Sequence, residues 1–304
     1  MMTDNLRAAL FMMAGSSAFA VNDTFLKLLG DSLGMFQIIT MRGVVVSLVF
    51  AALLWTQRAT ITALTRRDCW FLTLRSGAEM GAAFFFFKAL FNMPLATVTA
   101  ILQVVPLTVA AAAYLFLKEP LGWRRLSAIL FGMFGVMLIV RPGTDSFTMA
   151  SVYALLCVGM VTLRDLTTRV MAKGVPSSMV ALTTAVGVML MGAGGSVTEI
   201  WVMPAPVSWV WLGGTVVFTV LGYYLVILAM RTGELTFVAP FRYASLLAAL
   251  VLGWFVLAEW PAPLTFLGSA IVVATGVYTL YREGRLRRRA MAEKAGLPRA
   301  PGEC

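Results

Sequence analysis

An apolar stretch from Ala89 to Arg141 recurs in plan from Ala229 to Arg282, and this recurrence limits the folds open to the chain more than any other feature. Each copy is an apolar run, a short charged turn, and a second apolar run that carries two glycines. The turns are Lys118-Glu119-Pro120 and Glu259-Trp260-Pro261, and the glycines are Gly132 and Gly135, then Gly268 and Gly276. Few residues are identical. Glu119 falls against Glu259, and Gly135-Val136 against Gly276-Val277. The likeness reaches the starts of the two halves, where Asn22-Asp23 is followed by Lys27, and Arg164-Asp165 by Arg169. Each aspartate has a cation four residues on, where helical side chains share a face, so local pairs Asp23–Lys27 and Asp165–Arg169 are expected.

Apolar residues make up 60% of the 304, and charged residues 12%, more hydrocarbon than a soluble core of this length needs. A helix crosses a bilayer with about 20 apolar residues. Ten runs qualify, at 6–28, 34–55, 69–91, 95–117, 123–140, 148–171, 176–197, 207–230, 235–257 and 263–281. The chain is therefore expected to be an all-α integral membrane protein with ten transmembrane helices. Five spans per copy is an odd number, so the second copy enters the membrane upside down. A 5+5 inverted-topology repeat is a transporter architecture, with its site near the midplane between the halves. The first repeat takes residues 1–142 and the second 143–282. Residues 283–304 form a basic tail, a surface helix that loses order at Pro298. Arg7 with Ala18-Phe19-Ala20 imitates a cleavable signal peptide, but this segment has a repeat partner and is read as the first span.

The net charge of +10 reflects orientation rather than nucleic-acid binding. Arg58, Arg66 and Arg67 follow the second span, Lys118, Arg124 and Arg125 the fourth, and Lys173 the sixth. The tail adds Arg282, Arg285, Arg287, Arg288, Arg289, Lys294 and Arg299. All fall on one side, so the positive-inside rule puts both termini in the cytoplasm. With no histidine, and with Cys69, Cys157 and Cys304 in no paired spacing, a zinc, haem or histidine-based site is not expected. No cofactor is implied. There is no Walker-type loop, so nothing supports ATP hydrolysis.

Ionisable groups inside a span face the bundle interior or a water-filled cavity. By depth, Asp23, Arg42 and the neutral Gln103, beside Asn22, belong to an outer polar cluster with Lys27 at the rim. Arg75, Arg164, Asp165 and Arg242 belong to an inner one, and Glu79 lies close to the middle. This is the distribution of two gates flanking a cavity. In the third span Gly77 and Gly81 form a GxxxG packing step, while Arg75 and Glu79 project from the other face, spaced to pair. Phe84 to Phe87 offer an aromatic wall. Pro106 and Pro240 remove backbone hydrogen bonds, and such kinks are tolerated at membrane depth where protein or a wet cavity meets the freed carbonyls. With Gln103, Arg242 and Tyr243 nearby, both proline regions are candidate cavity walls. If protons are coupled, a carboxylate carries them, Glu79 first and Asp23 second.

The paired units also carry Ala89-Leu90, Pro94, Pro106-Leu107, Glu119-Pro120-Leu121 and a glycine-rich stretch from Gly132 to Ile139. In this the chain resembles the drug/metabolite transporter superfamily, in its ten-helix EamA-type branch, over nearly its whole length. The second copy departs from the pattern, with Leu246 opposite Pro106 and Trp260 opposite Pro120. The resemblance implies a secondary transporter of metabolites in the bacterial inner (plasma) membrane, working by alternating access. YddG-like amino-acid exporters are the nearest pattern. The expected partners are a small-molecule substrate, amino acids or related metabolites, and the lipid bilayer, with the chain a monomer or weak homo-oligomer. Uptake of a vitamin or nucleoside-like metabolite, of riboflavin or S-adenosylmethionine type, is the alternative within transport. An intramembrane lipid-modifying enzyme is the alternative from another class, but no nucleophile–base pair or metal cluster supports it. A purely structural scaffold leaves the buried charges unexplained.

Overall fold

A bilayer offers the backbone no water to bond with, so an apolar run must satisfy its own amide and carbonyl groups as a helix. The computed structural model describes residues 2–56, 65–118, 122–144, 147–171, 177–233 and 235–294, and among these the regular structure is helical, with no strand. The first half contains α1 (Met2–Gly30), α2 (Met35–Thr56), α3 (Arg66–Leu90), α4 (Leu95–Leu102), α5 (Val105–Leu117) and α6 (Trp123–Val140). The second contains α7 (Met149–Val170), α8 (Ser177–Gly195), α9 (Pro206–Thr232), α10 (Leu235–Val238), a 3-10 segment (Ala239–Tyr243), α11 (Ala244–Phe255) and α12 (Pro263–Lys294). α4 and α5 together make the fourth span, and α10 to α11 the ninth, giving ten spans that match the ten apolar runs within a few residues.

Six of these spans are long and apolar enough on their own to cross a membrane. α1 and α3 are not among them; they hold Asn22, Asp23, Lys27, Arg75, Glu79 and Lys88. Exposed tryptophans mark two levels. Trp55, Trp70 and Trp123 ring the end of the bundle at which α1 begins and towards which α12 runs (the terminal face), and Trp201, Trp254 and Trp260 ring the far face, as interfacial aromatic belts do.

The two halves are related by a pseudo-twofold exchange that can be followed in the packing. α1 packs on α9, and its counterpart α7 packs on α3; α2 pairs with its own counterpart α8, and α6 with α12. The relation holds at single residues. A Cβ on Gly15 would reach the Gly222 carbonyl oxygen at 3.0 Å, and at the equivalent crossing the Cys157 thiol donates to the Ala82 carbonyl at 3.4 Å. The turns before Glu119 and Glu259 match as well, since Lys118 (φ 54°) and Ala258 (φ 52°) are both left-handed.

The fourth span breaks at Gln103 and Val104, just before Pro106, and the ninth turns 3-10 through Pro240. When Glu119 is set against Glu259, Gln103 falls opposite Tyr243. Both spans are therefore interrupted at one level, although the two prolines are not equivalent. Side chains of α4, α5, α6 and α7, with Leu246 and Val272, form one buried apolar cluster, and α1, α2, α3 and Ala249 supply most of another.

Packing is close towards the far face. There α6 and α12 cross almost backbone to backbone: a Cβ on Gly268 would lie 2.5 Å from the Gly135 carbonyl oxygen, and one on Gly135 2.9 Å from that of Gly268. Towards the terminal face the same pair flanks an apolar groove of about 340 Å³ lined by Trp123, Phe131 and Tyr278. Two expectations change. The GxxxG step of α3 packs at Gly81, against Met160, but Gly77 faces open space, and a Cβ added there would meet no atom within 4 Å. The tail begins not as a separate surface helix but as the continuation of α12 to Lys294. Arg58, Glu119, Pro120, Lys173, Pro298 and Arg299 lie outside the described residues.

Candidate functional site

Towards the far face, α1, α2 and α9 meet in a chain of polar contacts. Arg42 Nη2 donates to Thr219 Oγ1 at 2.9 Å, Thr219 Oγ1 donates to Asn22 Oδ1 at 3.0 Å, and Asn22 Nδ2 donates to Asp23 Oδ1 at 2.8 Å. Arg42 Nε is buried and has no hydrogen-bond partner among the described residues. Asn22, Asp23 and Arg42 each lie about two turns from the far-face ends of their helices.

Towards the terminal face, α3, α7 and α8 meet in a second group. Arg164 Nη1 reaches Glu79 Oε2 at 3.2 Å, and Arg164 Nε donates to Asp165 Oδ1 at 2.8 Å. Arg75 donates from Nε to Thr168 Oγ1 at 2.9 Å and from Nη1 to Thr184 Oγ1 at 2.6 Å. The expected Arg75–Glu79 pair is not formed. Likewise Lys27 bonds not to Asp23 but to Glu259 and, at 2.5 Å, to the Met93 carbonyl oxygen.

The two groups are counterparts under the exchange of halves. With Asp23 set against Asp165, Asn22 stands opposite Arg164; with Glu119 set against Glu259, Glu79 stands opposite Thr219. The link Asn22–Thr219 between α1 and α9 thus answers the link Arg164–Glu79 between α7 and α3. One turn along α9 from Thr219 stands Tyr223, a residue the sequence reading missed. Its side chain is about half exposed. Its ring packs edge-on against Phe19 at 5.2 Å. Neither Tyr223 nor Thr219 carries a charge that would flag it in an apolar run; superposing the two halves would have singled out Thr219.

Further contacts join the halves at the far face. Glu199 Oε2 accepts from Phe36 N (2.9 Å) and Gln37 N (3.2 Å), satisfying free amides at the start of α2. Gln37 donates through Nε2 to the Val202 carbonyl at 2.7 Å and accepts from Val202 N at 3.2 Å. Glu259, which holds Lys27, also accepts from Leu95 N at 2.9 Å, at the start of α4.

The remaining expected site residues lie elsewhere. Gln103 does not join the Asp23 group but donates to Ser245 Oγ at 2.9 Å, bridging the broken fourth and ninth spans beside Pro106. Arg242 is exposed in the 3-10 segment with Pro240, and no hydrogen bond or ion pair joins it to Arg75, Arg164 or Asp165. Tyr243 is buried against Gly276, where a Cβ would overlap its hydroxyl. Phe84 to Phe87 do not form one aromatic wall: Phe84 stacks on Phe36 of α2, Phe85 on Tyr153 of α7, and Phe87 is buried against Phe91. No group of three or more potential metal ligands occurs among the described residues.

Residues 6–141 and 148–282 each match the model of the EamA-like transporter family. The chain is 26% identical to a riboflavin transporter of Vibrio cholerae, over 93% of this chain and 96% of that one. It is 24% identical to an S-adenosylmethionine uptake transporter of Rickettsia bellii, over 66% of this chain and 67% of that one. A solved crystal structure aligns with 91% of this chain and 98% of its own at a TM-score of 0.59 and 18% identity, a likeness of fold.

Proposed function

The chain belongs to the EamA-like transporter family, a multi-pass membrane transporter built of two repeats, and we propose that it moves small zwitterionic metabolites, amino acids first, outward across the bacterial inner membrane by alternating access. One observation carries this reading. The two polar groups together hold three cations, Arg42, Arg75 and Arg164, and three carboxylates, Asp23, Glu79 and Asp165, on helices of both halves. A neutral sum of separated charges suits a ligand that brings one carboxylate and one ammonium group. Arg42 and Arg75 are bonded to hydroxyls and Asp23 to an amide, so these three retain capacity for a ligand's charges.

On this reading both termini are cytoplasmic, as Arg66, Arg67 and Lys118 at the terminal face favour. The far face is then periplasmic, and the links through Lys27, Gln37, Glu199 and Glu259 join the two halves at the outer side. Transport requires those links to break as their counterparts at the terminal face form.

A second reading, uptake of a vitamin or nucleoside-like metabolite, is favoured by the relatives named as riboflavin and S-adenosylmethionine transporters. S-adenosylmethionine carries an amino-acid head group and fits the same charges; riboflavin does not. Proteoliposomes containing the purified chain, assayed with labelled amino acids, S-adenosylmethionine and riboflavin, separate the readings. Saturable amino-acid exchange supports the first, and riboflavin flux with no exchange of amino acids overturns it.

A further inference from the structure

We infer that Arg42 and Arg75 are a pair of anion receivers that take the substrate's carboxylate in turn, one from each side of the membrane. The inference rests on the zwitterion reading above and adds to it the atoms that hold the acid group. Three observations lead to it.

First, both guanidiniums are held by neutral threonine hydroxyls of the opposite half: Arg42 by Thr219, and Arg75 by Thr168 and Thr184. A carboxylate makes a stronger, charge-assisted bond to a guanidinium than a hydroxyl does, so either hydroxyl can be displaced. Arg42 Nε, buried and without a partner among the described residues, is a donor left over for such a ligand. Arg164 is the contrast within the same interior, because Glu79 and Asp165 already occupy it.

Second, the two contacts join matching pairs of elements. Arg42 on α2 reaches a hydroxyl on α9, and exchange of the halves turns this into a contact between α8 and α3. A contact between those elements exists with the roles reversed, the hydroxyl of Thr184 on α8 and the cation of Arg75 on α3, one turn before Glu79, the residue in register with Thr219. In register, Arg42 stands opposite Thr184. Each end of the pathway thus has one cation and one hydroxyl in matching elements, and the cations come from different helices.

Third, an inverted repeat interconverts its two open states by exchanging the environments of its halves. A contact closed at one end is then open at the other. Arg75 lies towards the terminal face, while Arg42 lies nearer the far-face links. The carboxylate meets Arg75 first from the terminal face and Arg42 first from the far face. Asp23, beside Arg42, is placed for the ammonium group.

The test uses the full-length purified chain with L-methionine and S-adenosylmethionine as probes, alongside their carboxylate-free amines. The expected result is that the wild type binds at least one probe and its matching amine about tenfold more weakly. Arg42→Gln and Arg75→Gln each lose about tenfold, and Arg42→Lys, which keeps the charge, recovers part of the loss. Thr219→Val tightens binding, because the competing hydroxyl is gone. In proteoliposomes of one orientation, Arg42→Gln raises KM for substrate supplied at the far face and Arg75→Gln for substrate at the terminal face. Wild-type affinity in both glutamine variants, or equal binding of acid and amine, overturns the inference and leaves the zwitterion reading standing. Failure of the wild type to bind either probe overturns both.

Discussion

Arg164 Nη1 lies 3.2 Å from Glu79 Oε2, joining α7 to α3, where the exchange of halves puts Asn22 against Thr219, 3.0 Å apart between α1 and α9. One axis therefore relates a charged link to a neutral one. The neutral link parts and re-forms with little change in solvation, whereas the ion pair must exchange partners or water as its helices separate. Of the two, the charged link is the one whose loss transport should register most strongly.

Glu79→Gln leaves Arg164 with Asp165 as its remaining carboxylate. The expected outcome is normal membrane insertion with a transport rate lower by about tenfold or more, equivalent to at least ~1.4 kcal/mol of barrier. Initial rates in proteoliposomes, normalised to inserted protein, check it; an unchanged rate would show the pair to be packing alone.

Lys27 bridges α1 to Glu259 and to the Met93 carbonyl at the far face. Lys27→Met keeps most of the side-chain packing and removes the charge. It should favour the state open at that face. A cysteine replacing Thr97, buried in α4 below this contact, is then expected to react several times faster with a membrane-impermeant maleimide in the Lys27→Met background. The same labelling rate in both backgrounds would mean the contact does not hold the face closed.

Gly268→Ala and Gly77→Ala should have opposite effects. The first places a Cβ 2.5 Å from the Gly135 carbonyl oxygen and 2.6 Å from Ile139 Cγ1, and overpacking of this kind costs about 1–3 kcal/mol. The second meets nothing within 4 Å and gains helix propensity, up to about 1 kcal/mol. Thermal unfolding in detergent should show a clear fall in Tm for Gly268→Ala and none for Gly77→Ala.

The contrast between Gly77 and Gly268 also shows where sequence reading reaches its limit. Ten apolar runs, two interrupted spans and the antiparallel halves follow from span length and proline chemistry, which are local. Which residues share a face of α3 is local too. What opposes that face is not, so a motif suited to packing meets open space at Gly77, and Arg75 turns from Glu79 to Thr184 on α8. Lys27 takes Glu259 in the same way, from far along the chain. Thr219 and Tyr223 escape notice for a different reason: neutral side chains cost little in a membrane helix, and only the geometry around them gives them significance. The family membership is legible in the paired units, whereas the substrate is not, because those units report how the helices pack.

The turn that presents Glu259 is itself strained, and this makes it a sensitive point. Ala258 has φ 52°, a left-handed conformation that costs an L-residue about 1–2 kcal/mol and glycine almost nothing. Ala258→Gly should therefore raise stability by about 1 kcal/mol, seen as a higher Tm. Ala258→Val should lower it, because a β-branched side chain fits that conformation worst. Since the turn also sets Glu259 against Lys27, the valine variant should reproduce the faster far-face labelling of Lys27→Met, while the glycine variant should not. A valine variant with both wild-type Tm and wild-type labelling would show that the left-handed turn neither strains the fold nor positions the carboxylate.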